Sequence, residues 1–268
     1  MEVSVSVIIV NYNGLNYLKN CFESIAKQLA GIPHEIIVTD NDSTDGSCNY
    51  IKEHFPDVVL IPSTKNLGFG KGNNVAVAKA EGKYILLLNN DTILQSHLAP
   101  ALEELTAHPT IGALGINMLN GEGNYLKPGG RFPSPFNLYR LKNIAWLGTE
   151  FNTGVFSKKL YKIDWLSGSF LLMPKKAYLQ VGGFDEDYFM YVEDVDLCKK
   201  IADAGYRRVF MPGLSYIHFV GYNPARDPLI IKGFETYIDK HSKGIYHFLM
   251  QGALGINKLV KKAKQLKK

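Results

Sequence analysis

The sequence predicts an α/β protein with a mostly parallel, doubly wound central sheet and helices on both faces. Short apolar runs alternate with helix-period segments through the first half, and each run ends in a cluster of Asn, Asp or Gly. The most apolar run, residues 84–88 (YILLL), is too short for a helix and has no polar alternation. A run of that kind reads as a strand buried on both faces, the habit of parallel sheets.

In chain order, residues 3–10 form the first strand. Residues 15–29 follow as a helix with Leu18, Phe22, Ile25 and Leu29 on one face at helical spacing. Residues 35–39 are the second strand, leading through the turn-rich DNDSTDGS to a helix that ends near Phe55. Residues 58–61, 70–80 and 84–88 continue as strand, helix and strand. Four such repeats imply right-handed crossovers and a parallel sheet. After a helix near residues 96–107 and a strand at 111–117, the rhythm stops. Residues 120–162 are rich in Gly, Pro, Asn and aromatics, and so long an irregular stretch is expected to act as a lid or a loop over a site. Its Lys127, Arg131, Arg140 and Lys142 suit an anionic partner or merely a soluble surface. Residues 165–174 (WLSGSFLLMP) read as one strand, a helix starts near Glu193, and a strand spans 214–217. Residues 244–268 are a basic amphipathic helix, with Ile256, Leu259, Val260 and Ala263 on one side and six lysines elsewhere.

Composition narrows the function classes. A chain of 268 residues with 46% apolar and 12% aromatic residues buries a full core and is neither disordered nor fibrous. Thirty basic against twenty-five acidic residues give a net charge of +5, too mild to imply nucleic acid. The three cysteines, Cys21, Cys48 and Cys198, lie far apart in no metal-ligand spacing, so reduced thiols are expected. The start MEVSVSV lacks the basic cluster of a signal peptide, and no apolar run nears the ~18 residues of a spanning helix. A cytoplasmic protein is the expectation.

In an open α/β sheet the ligand lies beyond the carboxyl ends of the strands. Those ends carry Asn11, Tyr12 and Asn13; Asp40 to Asp42; Asn66 to Asn74; and Asn89, Asn90 and Asp91. Tyr12 can stack on a base, and the Asp40 carboxylate can accept an imide N–H of uracil or thymine, which cytosine and adenine lack. Guanine has a comparable N–H. Asx turns and a helix cap suffice for Asp42, Ser43 and Asp45. Asp91 can hold a divalent cation against a diphosphate, or the Asn89 to Asp91 turn can simply cap the following helix. NLGFGKGNN lacks the third glycine of a dinucleotide fingerprint, and neither Gly-Lys pair is followed by Ser or Thr, so there is no P-loop. Lys71 near a helix start can approach a phosphate.

On the helix near Glu193, Asp194 shares the buried stripe of Leu197, Cys198 and Ile201, whereas Asp196 faces Lys199 and Lys200 as an ordinary surface pair. An inward carboxylate at a helix start is costly unless it caps the helix or faces a cleft. Even if the helix dipole lowers its pKa, an ionised Asp is available there at neutral pH.

VIIVNYNGLNYLKNCFESI, VTDNDSTDGS and NLGFGKGNNVAVAKAEGKYILLLNNDT, in this order and spacing, resemble the amino-terminal half of family 2 glycosyltransferases, especially the bacterial rhamnosyltransferase-like branch. GGFDEDYFMYVEDVDLCKKIADAGYRRVFMP resembles their second half. The resemblance implies a GT-A fold over residues 1–225, with a nucleotide-sugar half (1–117), an acceptor and catalytic half (118–225) and a helical basic tail (226–268). It implies an inverting transfer from a nucleoside-diphosphate sugar, UDP- or dTDP-linked ahead of GDP-linked, to a glycan or lipid-linked acceptor in bacterial cell-surface polysaccharide synthesis. The family's Asp-X-Asp motif falls on Asn89 to Asp91 with Asn at the first position, so Asp91 is the principal ligand of Mn²⁺ or Mg²⁺. His218 is a second ligand. The Glu-Asp pair falls on Glu193 and Asp194, with Asp194 the catalytic base and Glu193 orienting it or touching the acceptor. Val10, Asn11, Tyr12, Asp40, Asn66, Lys71, Asn74, Asn89 and Asn90 are then donor-nucleotide residues. Trp165, Gly168, Gly183, Phe184 and Asp185 face the donor sugar or the acceptor.

The tail can lie on an anionic membrane surface, each lysine adding roughly 1 kcal/mol of attraction, or pack on the domain. Peripheral contact with the inner face of the cell membrane is expected. Two alternatives stay open. A sugar-phosphate nucleotidyltransferase would carry an arginine-bearing glycine loop where this chain has NYNGLNYL, and a silent binding domain would hold nucleotide without turnover.

Overall fold

The computed structural model describes residues 3–219 and 226–265. The first half alternates as predicted: β1 (Val5–Asn11), α1 (Leu15–Gln28), β2 (His34–Asp40), α2 (Ser47–His54), β3 (Val59–Pro62), α3 (Phe69–Val77) and β4 (Tyr84–Asn89). Then come β5 (Thr92–Leu94), α4 (Ala99–Ala107) and β6 (Ile111–Leu119). Short elements follow: β7 (Tyr125–Leu126), β8 (Gly129–Gly130), α5 (Pro135–Leu138), a 3₁₀ turn (Leu141–Asn143), α6 (Thr149–Thr153) and β9 (Tyr161–Lys162). The chain continues through β10 (Trp165–Leu166), β11 (Phe170–Pro174), α7 (Lys175–Gln180), α8 (Glu193–Asp203), β12 (Arg207–His218), α9 (Asp227–His241) and α10 (Gly244–Gln265).

The main sheet runs β3-β2-β1-β4-β11-β6-β12-β5, with β7 beside β6 and β9 beside β12. β3, β2, β1 and β4 are mutually parallel, and β12 is parallel to β6. β11 runs against both β4 and β6. Its amino end therefore meets the carboxyl end of β4, at the sheet edge where ligands bind.

Successive side chains of a strand point to opposite faces, and the burial follows that period. Leu86 and Leu88 of β4 join Val7 and Ile9 of β1 under α1, packed on Leu18, Phe22 and Ile25. Ile85 and Leu87 point the other way, into a core shared with Ala76 of α3, Tyr178 of α7 and Leu197 and Ile201 of α8. Helices thus cover both faces.

A third core joins parts that the sequence separates. Leu138 and Ile144 pack with Val192 and Val195 at the start of α8, Phe234 and Ile238 of α9, and Met250 and Leu254 of α10. The stretch expected to be an irregular lid is accordingly held down. β7 pairs with β6, Ser134 N–H donates to Asn137 Oδ1 at 2.7 Å, and Phe151, Phe156 and Tyr161 form an aromatic cluster with Phe210.

Three further expectations are corrected. Residues 165–174 are not one strand: residues 167–169 turn between β10 and β11. The strand expected at 214–217 is the end of β12, which begins at Arg207 and shifts register between Met211 and Ser215, across Pro212 and Gly213. Asp196 is not a surface pair. It is buried, accepts from His241 Nε2 at 2.6 Å and Tyr188 OH at 3.3 Å, and lies 3.6 Å from Lys200, while Lys199 pairs with Asp203. The third core encloses it.

Candidate active site

The polar turn after β4 leads into a reversed strand rather than directly into a helix. β5 pairs antiparallel with β12 in the register His218↔Thr92, and Phe219 N–H donates to Asp91 O at 3.0 Å. This pairing carries His218 to Asp91 across 127 residues of chain. His218 Nε2 lies 3.3 Å from Asp91 Oδ1 and 3.2 Å from Asn89 Nδ2. Nε2 cannot both accept from the Asn89 amide and donate to Asp91: with a proton on Nε2 it donates to Asp91 Oδ1, and without one its single lone pair serves either the amide or a cation. Asn89 Oδ1 is buried without a hydrogen-bond partner among the described residues. A carboxylate and an imidazole 3.3 Å apart, with an unsatisfied amide oxygen on Asn89, are donor types that suit a divalent cation, Mn²⁺ better than Mg²⁺ because of the imidazole.

These groups border a crevice of about 360 Å³. Val10, Tyr12, Asn66, Asn89, Asn90 and Asp91, from the amino-terminal half of the chain, line one wall, and Gly168, Glu193, Asp194 and His218 line the other. Tyr12 is 53% exposed, an open ring at the end of β1. Asn90 is fixed by donating to Asn11 Oδ1 at 2.7 Å. The turn at 167–169 belongs to the crevice because Asn89 N–H donates to Ser169 O at 3.1 Å.

The opposite wall rests on a strained turn. Tyr191 and Val192 have φ of 70° and 72°, a left-handed conformation that a β-branched residue rarely adopts. It launches α8 so that Glu193 and Asp194 meet the crevice. Gly233 of α9 permits it, since a Cβ there would lie 2.7 Å from Tyr191 O. Asp194 Oδ2 accepts from Gly168 N–H at 3.0 Å and Oδ1 from its own helix at Val195 N–H, 2.8 Å. Burial pushes the Asp194 carboxyl above its ordinary range, and these two N–H groups only partly offset it. The shift expected from the helix dipole is thus reversed. Glu193 is buried with Oε2 unpartnered, and burial, then the Asp194 charge, pushes its carboxyl well up.

Other anticipated residues lie one layer back. Asp40 is buried, its Oδ2 taken by Asn11 Nδ2 at 2.7 Å and Oδ1 by Ser43 N–H at 2.9 Å, so the turn it organises occupies both oxygens. Asn74 accepts from Tyr178 OH and Phe184 N–H and donates to Phe184 O, fastening α3 to the Gly183 and Phe184 turn. Phe184 is buried against Phe69, and Gly183 has φ of 65°. Lys71 pairs with Glu186 at 2.7 Å, Asp185 with Lys240 at 2.8 Å, and Trp165 Nε1–H donates to Arg131 O at 2.9 Å.

Asn41, Gly68 and Phe69, from the strand-end groups named in the sequence, also line the crevice, as do residues that sequence reasoning passed over: Ser167, Ser169, Met190, Tyr191 and Arg226. Arg226, its guanidinium 5.9 Å from the centre of the Tyr191 ring, is the chemically weighty one. A lone arginine in NPARDP carries no motif, and only its place in the fold gives it away. Gly68 had a signal in its glycine loop: a Cβ there would lie 2.3 Å from Phe189 O.

A crevice at the carboxyl edge of a half-parallel sheet, walled by Asp91 on one side and an inward Glu-Asp pair on the other, defines a GT-A glycosyltransferase. Residues 6–170 match glycosyl transferase family 2, and the chain belongs to that family. It is 28% identical over 261 residues to the N-acetylglucosaminyl-diphospho-decaprenol L-rhamnosyltransferase of Mycobacterium tuberculosis, covering 91% of this chain and 83% of that one. It is 27% identical over 234 residues to the rhamnosyltransferase WbbL of Escherichia coli K12, covering 82% and 84%. Among solved structures, the mannosyltransferase PcManGT of Pyrobaculum calidifontis, in complex with GDP-Man and Mn²⁺, superposes with a TM-score of 0.61 at 19% identity, over 99% of this chain and 76% of that one.

Proposed function

We propose that this enzyme moves a sugar, rhamnose first among the hexoses, from a nucleoside-diphosphate sugar to a hydroxyl of a lipid-linked glycan acceptor. The anomeric centre inverts, and the product enters a bacterial cell-surface polysaccharide made at the cytoplasmic face of the membrane. The observation that carries the reading is that Asp91 and Asp194, distant in sequence, line one crevice. The names of the two rhamnosyltransferases support the sugar, and that of the Mycobacterium tuberculosis protein supports the lipid-linked acceptor.

In this reading Tyr12 stacks on the base, UDP- or dTDP-linked donors being favoured over GDP-linked ones. Asp91, His218 and Asn89 Oδ1 would hold a divalent cation, which supplies positive charge to the donor's diphosphate. Asp194 takes the proton from the acceptor hydroxyl as its oxygen bonds to the anomeric carbon. The bond from that carbon to the diphosphate oxygen breaks in the same displacement, and the nucleoside diphosphate leaves with the electron pair. The raised pKa makes Asp194 a stronger base than an exposed aspartate while the Gly168 and Val195 N–H groups hold its orientation. Burial pushes the Glu193 carboxyl well up, and in its protonated form it can donate to the acceptor.

The test is incubation with UDP-, dTDP- and GDP-sugars, Mn²⁺ and a lipid-linked acceptor. Free nucleoside diphosphate with a glycosylated acceptor is expected. Pyrophosphate release would make the protein a nucleotidyltransferase, and nucleotide binding with neither product would make it a silent domain.

A further inference from the structure

We propose that the outer face of α10 and the adjoining segment 139–142 form a docking surface for an anionic lipid bilayer. α10 has two apolar faces. One, carrying Met250, Ala253 and Leu254, is buried in the third core. The other carries Ile245, Phe248, Leu249, Ile256, Leu259 and Val260, which recur at helical spacing along one line and are all exposed, Phe248 by 72% and Leu259 by 70%. Nothing among the described residues covers this stripe. A patch of this length on a soluble surface marks an interaction site.

Charge identifies the occupant. Residues 244–268 contain six lysines and no acid, and residues 127–148 carry Lys127, Arg131, Arg140 and Lys142 with no acid. Lys258 and Lys261 turn toward α9, paired with Glu235 and Asp227. Lys262, Arg140 and Lys142 are exposed, and no ion pair engages them among the described residues. Two copies of this chain meeting through the stripe would bring basic edge against basic edge, whereas an anionic surface complements it. An apolar stripe flanked by lysines is the pattern of a helix lying in a bilayer interface. No described helix is long and apolar enough to cross a membrane.

The surface also connects to the crevice. A groove of about 690 Å³ runs beside the stripe, between Ile256 and Val260 of α10, Asp227 and Ile230 of α9, and Arg140 and Lys142. Asp227 borders this groove and its chain neighbour Arg226 lines the crevice. A phosphate-bearing lipid at the bilayer surface would meet cations and apolar walls on the way to Asp194. The docking rests on the proposed function only for its purpose, delivery of a lipid-linked acceptor, because binding is measured without turnover.

The experiment is sedimentation of the full chain with vesicles of phosphatidylcholine alone or mixed with phosphatidylglycerol, at low and high salt. Partition into the mixed vesicles at least about tenfold above the neutral ones, lost at high salt, is expected. Phe248→Asp with Leu259→Asp, and separately Arg140→Glu with Lys262→Glu, should each reduce it about tenfold or more. Their thermal midpoint and stabilisation by nucleoside diphosphate should match the wild type. Wild-type protein that ignores mixed vesicles, or an aspartate pair that partitions like the wild type, overturns the proposal. So does a wild-type dimer that the aspartate pair converts to monomer, which would give the face to a second copy. Partition that holds while no donor is turned over leaves the docking intact and sinks the transferase reading alone.

Discussion

The two walls of the crevice are built by different means. On the nucleotide side, β1 and β4 are continuous apolar strands whose alternate residues fill two cores, and the functional groups are the first polar residues after the strand ends. On the acceptor side, the groups sit at the start of a helix launched from two left-handed non-glycine residues and backed by α9 and α10, which arrive later in the chain. The first wall is placed by regular secondary structure, the second by tertiary packing against α9 and α10. A change on the second wall should therefore reach the chemistry through the fold more readily than a change on the first.

The largest effect tests the acceptor wall at its reacting group. Asp194→Asn keeps the shape and the hydrogen bond from Gly168 but removes the group proposed as base, and transfer should fall by about a thousandfold. Stabilisation by nucleoside diphosphate should persist. A variant that transfers sugar at the wild-type rate would remove Asp194 from the mechanism.

Next is the support behind that wall. His241→Ala strips buried Asp196 of its closest partner, at 2.6 Å. Breaking a buried, hydrogen-bonded pair of this kind costs about 3 kcal/mol. Urea unfolding should register that loss, and kcat should fall with it because α8 carries Asp194 two residues away. A stability loss below about 1 kcal/mol would mean that the walls are not built differently in the sense argued above.

What could be read from the sequence divides along the same line. The 84–88 run, the order of the strand ends, and the Asn89 to Asp91 and Glu193 to Asp194 pairs were legible because periodicity and burial cost are local properties. The Asp91 and His218 encounter was not derivable from spacing, since it depends on the antiparallel β5 and β12 register. Asp196 was misread because helical spacing to Lys199 and Lys200 carries no information about α9 arriving from 45 residues later. Arg226 escaped because neither its neighbours nor its spacing distinguish it from a surface arginine.

A smaller change is expected where His218, on the second wall, meets Asp91 and Asn89 of the first. His218→Ala removes the imidazole from the donor set of Asp91 and Asn89, and the gain in thermal midpoint that Mn²⁺ adds to nucleoside diphosphate should correspond to about tenfold weaker binding. Asn89→Asp supplies the missing carboxylate and should strengthen it. Opposite signs for the two variants would fit a shared cation; the same sign would not.

pH separates the walls again. Burial raises the Glu193 carboxyl, so the folded protein holds that proton more tightly than the unfolded chain. Its contribution is fully present below the ordinary glutamate pKa and is lost as pH rises through the raised value. Glu193→Gln, which cannot ionise, should flatten this fall and leave the variant more stable than wild type at the alkaline end. Chemical denaturation across the pH range reads it directly. The Asp194 carboxyl is also raised, so the acid limb of kcat/KM should lie above the ordinary aspartate range.

The smallest effect concerns Lys71, the one cation in the glycine loop. Its ammonium sits 2.7 Å from Glu186, and both partners are nearly half exposed, so the pair contributes at most about 1 kcal/mol. It nevertheless links the two walls, since Glu186 follows the Gly183 to Asp185 turn that Asn74 fastens from α3. If Lys71 serves only this link, Lys71→Ala and Glu186→Ala should each leave nucleoside-diphosphate affinity within about twofold, and the double variant should add nothing further. If Lys71 reaches the donor's phosphates during turnover, Lys71→Ala weakens donor binding about tenfold while Glu186→Ala, by releasing the lysine, strengthens it. A double-mutant cycle on donor affinity distinguishes a strut between the walls from a ligand of the donor. The geometry at hand, with the ammonium held by Glu186 outside the crevice lining, favours the strut.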